Sequence, residues 1–100
     1  MSDPRLDESL AALDRALAAR PHRDGQAFTE ATKPMCAYRD ELRYALRKAP
    51  DDLAKRRQLK AANLAVTLML AGHFPLGDMP WDQIEALRGH LEAMQRDAAA

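Results

Sequence analysis

The residues of this chain with the widest chemical repertoire are three histidines and one cysteine, and they stand far apart. His22, His73 and His90 fall in three separate regions, and none lies four residues from another histidine, cysteine or carboxylate in a metal-binding pattern. A helical di-metal centre needs Glu-x-x-His on two helices. Here Glu30 is followed three places on by Lys33, and Glu85 by Arg88. The glycines of Gly72-His73-Phe74-Pro75-Leu76-Gly77 lack the Lys-Ser/Thr and the preceding strand of a phosphate loop. Cys36 has Arg39 and Arg43 near it on one helical flank, and cations lower a thiol's pKa. No histidine adjoins it in sequence, however, and one thiol cannot run a dithiol cycle. Cys36 therefore reads as a small residue at the edge of a core. His73 reads as a cation beside the negative end of a helix dipole. No catalytic, metal-binding or cofactor-binding set emerges, and the expectation is a protein that is not an enzyme.

Charge is distributed more informatively. The 100 residues carry 15 basic and 15 acidic side chains, for a net charge of zero. Positions 1–32 hold four basic against six acidic residues, and positions 61–100 two against five. Positions 33–60 hold nine against four, a local excess of +5. Arg39, Arg43 and Arg47 recur every fourth residue, which aligns them on one helical face. Arg56 and Lys60 repeat the spacing, with Lys55 and Arg57 beside them. Two antiparallel helices would merge these rows into one basic surface able to meet phosphates. The competing expectation, favoured by the overall neutrality, is that these arginines pair with acids on the first and last helices. The long 72–79 connection and the placement of the basic residues do not fit a helix-turn-helix.

The elements that position these side chains are helices. Hydrophobic residues make up 47% and charged residues 30%, an ordinary globular composition for one domain of this length. Helix-favouring residues dominate and β-branched ones are scarce. The fold class expected is all-α, a single bundle of about four helices over 4–19, 26–48, 51–71 and 80–97. Asp3-Pro4 is a helix start, and Leu6, Leu10, Leu13 and Leu17 form one stripe behind it. In the second helix Phe28, Ala31, Met35, Tyr38, Leu42, Ala45 and Ala49 keep a spacing of three and four straight through Pro34. That unbroken register favours one helix, bent at the proline, over two. Pro50-Asp51-Asp52 opens the third helix, and Gly72 is its expected left-handed C-cap.

The third helix has two apolar stripes, Leu59/Ala62/Val66/Met69/Leu70/His73 and Ala61/Leu64/Leu68/Ala71. A helix apolar on most of its circumference is expected to be enclosed by others. If the first helix does not cover the second stripe, Leu64 and Leu68 become a homodimer interface, the arrangement favoured here. The segment 72–79 has the prolines and glycines of a loop but the apolar content of a core. Trp81, Ile84, Leu87, Leu91 and Met94 form the stripe of the last helix.

The resulting expectation is a small cytoplasmic protein that binds another protein, as an adaptor, regulator or chaperone. Its contact residues would be Phe74, Leu76, Met79 and Trp81 of the loop region, the arginine row Arg39, Arg43 and Arg47, and Tyr44, which falls opposite the inner stripe. The alternative is a nucleic-acid-binding regulator using Arg43, Arg47, Lys55, Arg56, Arg57 and Lys60. No segment is long and apolar enough for a membrane span, the acidic start is no secretion signal, and a lone cysteine suits a reducing compartment.

Overall fold

The computed structural model describes residues 3–99 of the chain, the side chain of Ala99 excepted, and these form four α-helices with no strand among the described residues. Helix α1 spans Pro4–Ala18, α2 Gly25–Lys48, α3 Leu53–His73 and α4 Trp81–Ala99. The first three begin on aspartate caps. Asp3 accepts a hydrogen bond from the Arg5 amide, Asp24 from the Ala27 amide and Asp52 from the Lys55 amide. Each cap satisfies a donor that the first helical turn leaves open.

Contacts between specific residues fix the direction of every helix. Arg5 meets Glu41 and Arg15 meets Glu30, so α1 and α2 are antiparallel. Gln95 bonds Asp7 and Arg88 bonds Asp14, which sets α4 antiparallel to α1. His90 Nε2 lies 2.9 Å from the Ala61 carbonyl, while Ile84 approaches Gly72, so α3 and α4 also run opposite ways. The helices form a closed ring in which α1 and α3 each pack against α2 and α4. One continuous core draws on all four, with Leu6, Leu13, Phe28, Met35, Met69, Ile84, Leu87 and Leu91 fully enclosed.

Helix α2 runs unbroken through Pro34, as the hydrophobic register predicts. Phe28, Ala31, Met35, Tyr38 and Leu42 are all buried on one face, on both sides of the proline. A proline inside a helix removes a hydrogen bond and typically costs about 3 kcal/mol. Burying each large apolar side chain returns about 1.5–3 kcal/mol, enough to hold the helix continuous.

Three expectations are corrected. The third helix is not enclosed: its inner face of Ala62, Ala65, Val66, Met69 and Gly72 is buried, while Leu64 is 50% exposed and Leu70 44%. A ring of four helices has no centre for a fifth element, so α3 occupies a corner like the others. Pro50 precedes α3 in a turn, and Asp52 is the cap. Gly72 is not a left-handed cap. It lies buried inside α3, where an added Cβ would sit 2.7 Å from Phe28 Cε1 and 3.3 Å from Ile84 Cδ1. The glycine is needed for close approach. The left-handed residue of the connection is Gly77, at φ 95°.

Candidate functional site

The shared surface of α2 and α3 forms a groove of about 290 Å³ near the N-terminal half of α2 and the C-terminal half of α3. Thr29, Thr32, Lys33 and Cys36 form one wall, and Leu70, His73 and Phe74 the other. Both threonine hydroxyls turn back on their own helix. Thr29 Oγ1 donates to the Gly25 carbonyl at 3.1 Å and Thr32 Oγ1 to the Phe28 carbonyl at 2.7 Å. A hydroxyl whose proton is committed to the preceding turn has no donor left for a ligand, so apart from Lys33 this wall presents acceptors and apolar groups. Opposite it, Phe74 is 67% exposed. The His73 ring packs edge-on against Phe74, with centroids 4.3 Å apart, and its Nδ1 is buried without a hydrogen-bond partner. The His73 carbonyl accepts a hydrogen bond from Arg23, which ties the end of α3 to the start of α2.

Beyond Cys36 the same edge of α2 changes character. At about 100° per residue, Arg39, Arg43 and Arg47 continue the line of Thr32 and Cys36, and on α3 Arg56 continues the line of Leu70 and Phe74. The arginine row and the apolar groove are therefore two ends of one furrow. Arg39 and Arg43 have only Asp40 of their own helix, at 3.4 and 3.9 Å, and Lys55 has its own cap Asp52 at 3.8 Å. Arg47, Arg56, Arg57 and Lys60 make no ion pair among the described residues. The expected pairing of this row with acids on α1 and α4 does not occur among the described residues, and most of the bundle's ion-paired acids are held by arginines outside the row. Asp14 and Glu92 hold Arg88, Glu85 holds Arg20, Glu30 holds Arg15, and Glu41 with Asp3 holds Arg5.

The displaced pKa values belong to that closed network. The Asp3 carboxyl is held below its ordinary value by the hydrogen bond from Arg5, whose guanidinium is correspondingly raised. Tyr38, beside Arg5, is raised chiefly by burial, and Arg88 is raised by its bond to Asp14.

The residues singled out from sequence are thus divided. Phe74 and the row Arg39, Arg43 and Arg47 share the furrow. Leu76 is fully exposed at the tip of the connection, away from the groove wall. Met79 and Trp81 are half-buried against the core, Trp81 with the Arg20 guanidinium 6.0 Å from its ring. Tyr44 is 58% exposed as expected, but it faces away from the furrow, capped by Lys48 Nζ at 4.6 Å. Leu68 packs against the core while Leu64 stays open.

Sequence reasoning missed Leu70, which it assigned to a buried stripe, and it missed the convergence of Cys36 and His73 on one groove. The signal for the latter was the antiparallel hairpin, which brings residues near 29–36 level with those near 66–74. Comparison with known proteins returns no match, whether to a protein family, a curated protein or a solved structure.

Proposed function

We propose that this chain is a small, non-enzymatic helical protein that acts by binding another protein, and that the furrow between α2 and α3 is its contact surface. The observation that carries this reading is the exposed pair Leu70 and Phe74, set across from a wall whose hydroxyls are turned inward. Exposed apolar side chains gathered at a concave surface are what a partner covers. The lone cysteine agrees with a cytoplasmic setting, and no described helix is long and apolar enough to cross a membrane.

Affinity capture from the native host, read by mass spectrometry, tests the reading. The native chain is expected to retain a partner that Leu70→Ser with Phe74→Ser releases, while circular dichroism of the two proteins coincides. Equal retention by both would remove the furrow from the proposal.

A second reading, a nucleic-acid-binding regulator, is favoured by the unpaired cations Arg47, Arg56, Arg57 and Lys60. Each phosphate neutralised steepens the salt dependence of binding. Gel-shift titrations with duplex DNA and single-stranded RNA at about 50 mM salt, well below physiological screening, decide it, and absence of a shift would end it. A two-fold dimer at Leu64 is the third arrangement to measure, by sedimentation with Leu64→Glu as the control.

A further inference from the structure

The furrow has a length, two chemically different ends and no strand edge along its walls, and these properties constrain what can lie in it. From Thr29 to Arg47 it runs roughly 27 Å at the helical rise. Its walls are helices, whose backbone groups are satisfied internally. An extended peptide laid here would find no strand edge, and its own amides and carbonyls would go unpaired against the apolar half. A helix brings its backbone bonds with it.

The apolar end offers Leu70, Phe74 and Cys36 to a nonpolar stripe. The other end, two to three turns away, offers Arg43, Arg47 and Arg56, whose charges no described acid of another helix neutralises. Helix α3 contains no acidic residue at all. A nucleic acid would use the basic end and leave the apolar half uncovered. A second copy of this chain offers acids on α1 and α4, but Asp14, Glu85 and Glu92 are already bound to arginines of their own bundle. Of the others, Asp82 and Asp97 stand at opposite ends of α4 and Glu8 on a different helix, so they form no cluster to match the arginines.

Resting on the protein-binding reading above, we infer that the furrow receives an acidic amphipathic helix of another protein. Its apolar residues, at i, i+3 or i+4, and i+7, seat between Cys36, Leu70 and Phe74. Its carboxylates, about eleven residues along at the helical rise, meet Arg43, Arg47 and Arg56. The apolar end supplies most of the affinity. The arginine end sets the direction in which the helix lies and speeds encounter, as charge complementarity does at interfaces.

The test is a selection. A phage-displayed library of helices about five turns long, randomised at stripe and charged positions, is panned on the folded full-length chain. Recovered sequences are made as synthetic peptides and titrated by fluorescence anisotropy. The expected winners carry a nonpolar stripe and clustered Asp or Glu some three turns from it. Their affinity should fall about tenfold or more on Arg43→Glu with Arg47→Glu, fall again on Leu70→Ser with Phe74→Ser, and weaken as salt is raised. Winners without acidic bias, or winners indifferent to the arginine reversals yet lost on Phe74→Ser, overturn the acidic helix and leave the protein-binding reading standing. Winners indifferent to both pairs of changes, or no winners at all, overturn both. Self-association that the Phe74→Ser variant abolishes would assign the furrow to a second copy and also overturn the inference.

Discussion

The seam between α1 and its two neighbours differs from the seam between α2 and α3 in what crosses it. Along α1, charged groups reach over to adjacent helices: Arg5 to Glu41, Arg15 to Glu30, Asp14 to Arg88 and Asp7 to Gln95. Buried Ser9 adds a hydrogen bond to the Ala31 carbonyl of α2. Between α2 and α3 the one polar tie among the described residues is at the rim, from Arg23, just before α2, to the His73 carbonyl at the end of α3; along the helices themselves the seam is held by apolar packing. Yet it is the seam richest in charge, all of one predominant sign. Polar groups at the first seam are used up in building the bundle. At the second they stand in rows at i,i+4 spacing, where like charges slightly destabilise their own helices. The fold does not require them, which is why the functional proposals centre there.

The comparison can be broken most severely by removing the packing on which the α2–α3 seam depends. Phe28→Ala should destabilise the chain by about 3–5 kcal/mol, seen as a large drop in the urea midpoint, because the ring is fully enclosed and only the Arg23–His73 tie at the rim would remain as a polar contact between the two helices. Gly72→Ala should follow. The new methyl collides with the enclosed Phe28 ring, and overpacking of this kind costs about 1–3 kcal/mol, against a gain of up to about 1 kcal/mol in helix propensity. The urea midpoint should therefore still fall, and an unchanged midpoint would mean that the α2–α3 contact is looser than the geometry requires.

The charged seams should then separate by salt. Arg15→Ala removes an exposed pair to Glu30 and should cost less than about 1 kcal/mol, a difference that shrinks as salt is added. Arg47→Ala should lie within about 0.5 kcal/mol of the parent, with any shift toward greater stability at low salt. The smallest effect concerns acid. Because the folded chain holds Asp3 below its ordinary pKa, the stabilisation is present above the unfolded carboxylate value and is lost as pH falls through the folded one. Asp3→Asn keeps a capping acceptor and should flatten that part of a stability–pH curve, measured by urea titration between about pH 2 and pH 6.

Much of the bundle was legible because burial imposes a period. Leu6, Leu13 and Leu17, the α2 stripe from Phe28 to Leu42, and Ile84, Leu87, Leu91 and Met94 are buried where spacing put them, whereas Ala45 is half-buried and Ala49 is exposed just past the end of α2. The two-striped α3 misled because hydrophobicity reports what can be buried and not how many neighbours are present to do it. Leu64 and Leu70 look identical in sequence to Leu59, and only the ring of four helices leaves them open. Gly72 misled for a related reason: a glycine near a helix end is commonly a cap, and its contact with Phe28 depends on a residue 44 positions away. The arginine row was found by spacing, but its lack of partners was not. Ion pairing depends on which acids lie within reach, and Asp14, Glu85 and Glu92 had nearer arginines.

The missing methyl at Gly72 also has a geometric consequence for the surface above it. The end of α3 rests almost directly on the Phe28 ring, and Leu70 and Phe74 stand on that same last stretch of helix. The width of the furrow mouth is therefore set from below, by one hydrogen atom where other residues carry a carbon. A change at this enclosed position would alter the shape of the furrow mouth without altering any side chain exposed there. The shape of this surface is tunable from inside the core.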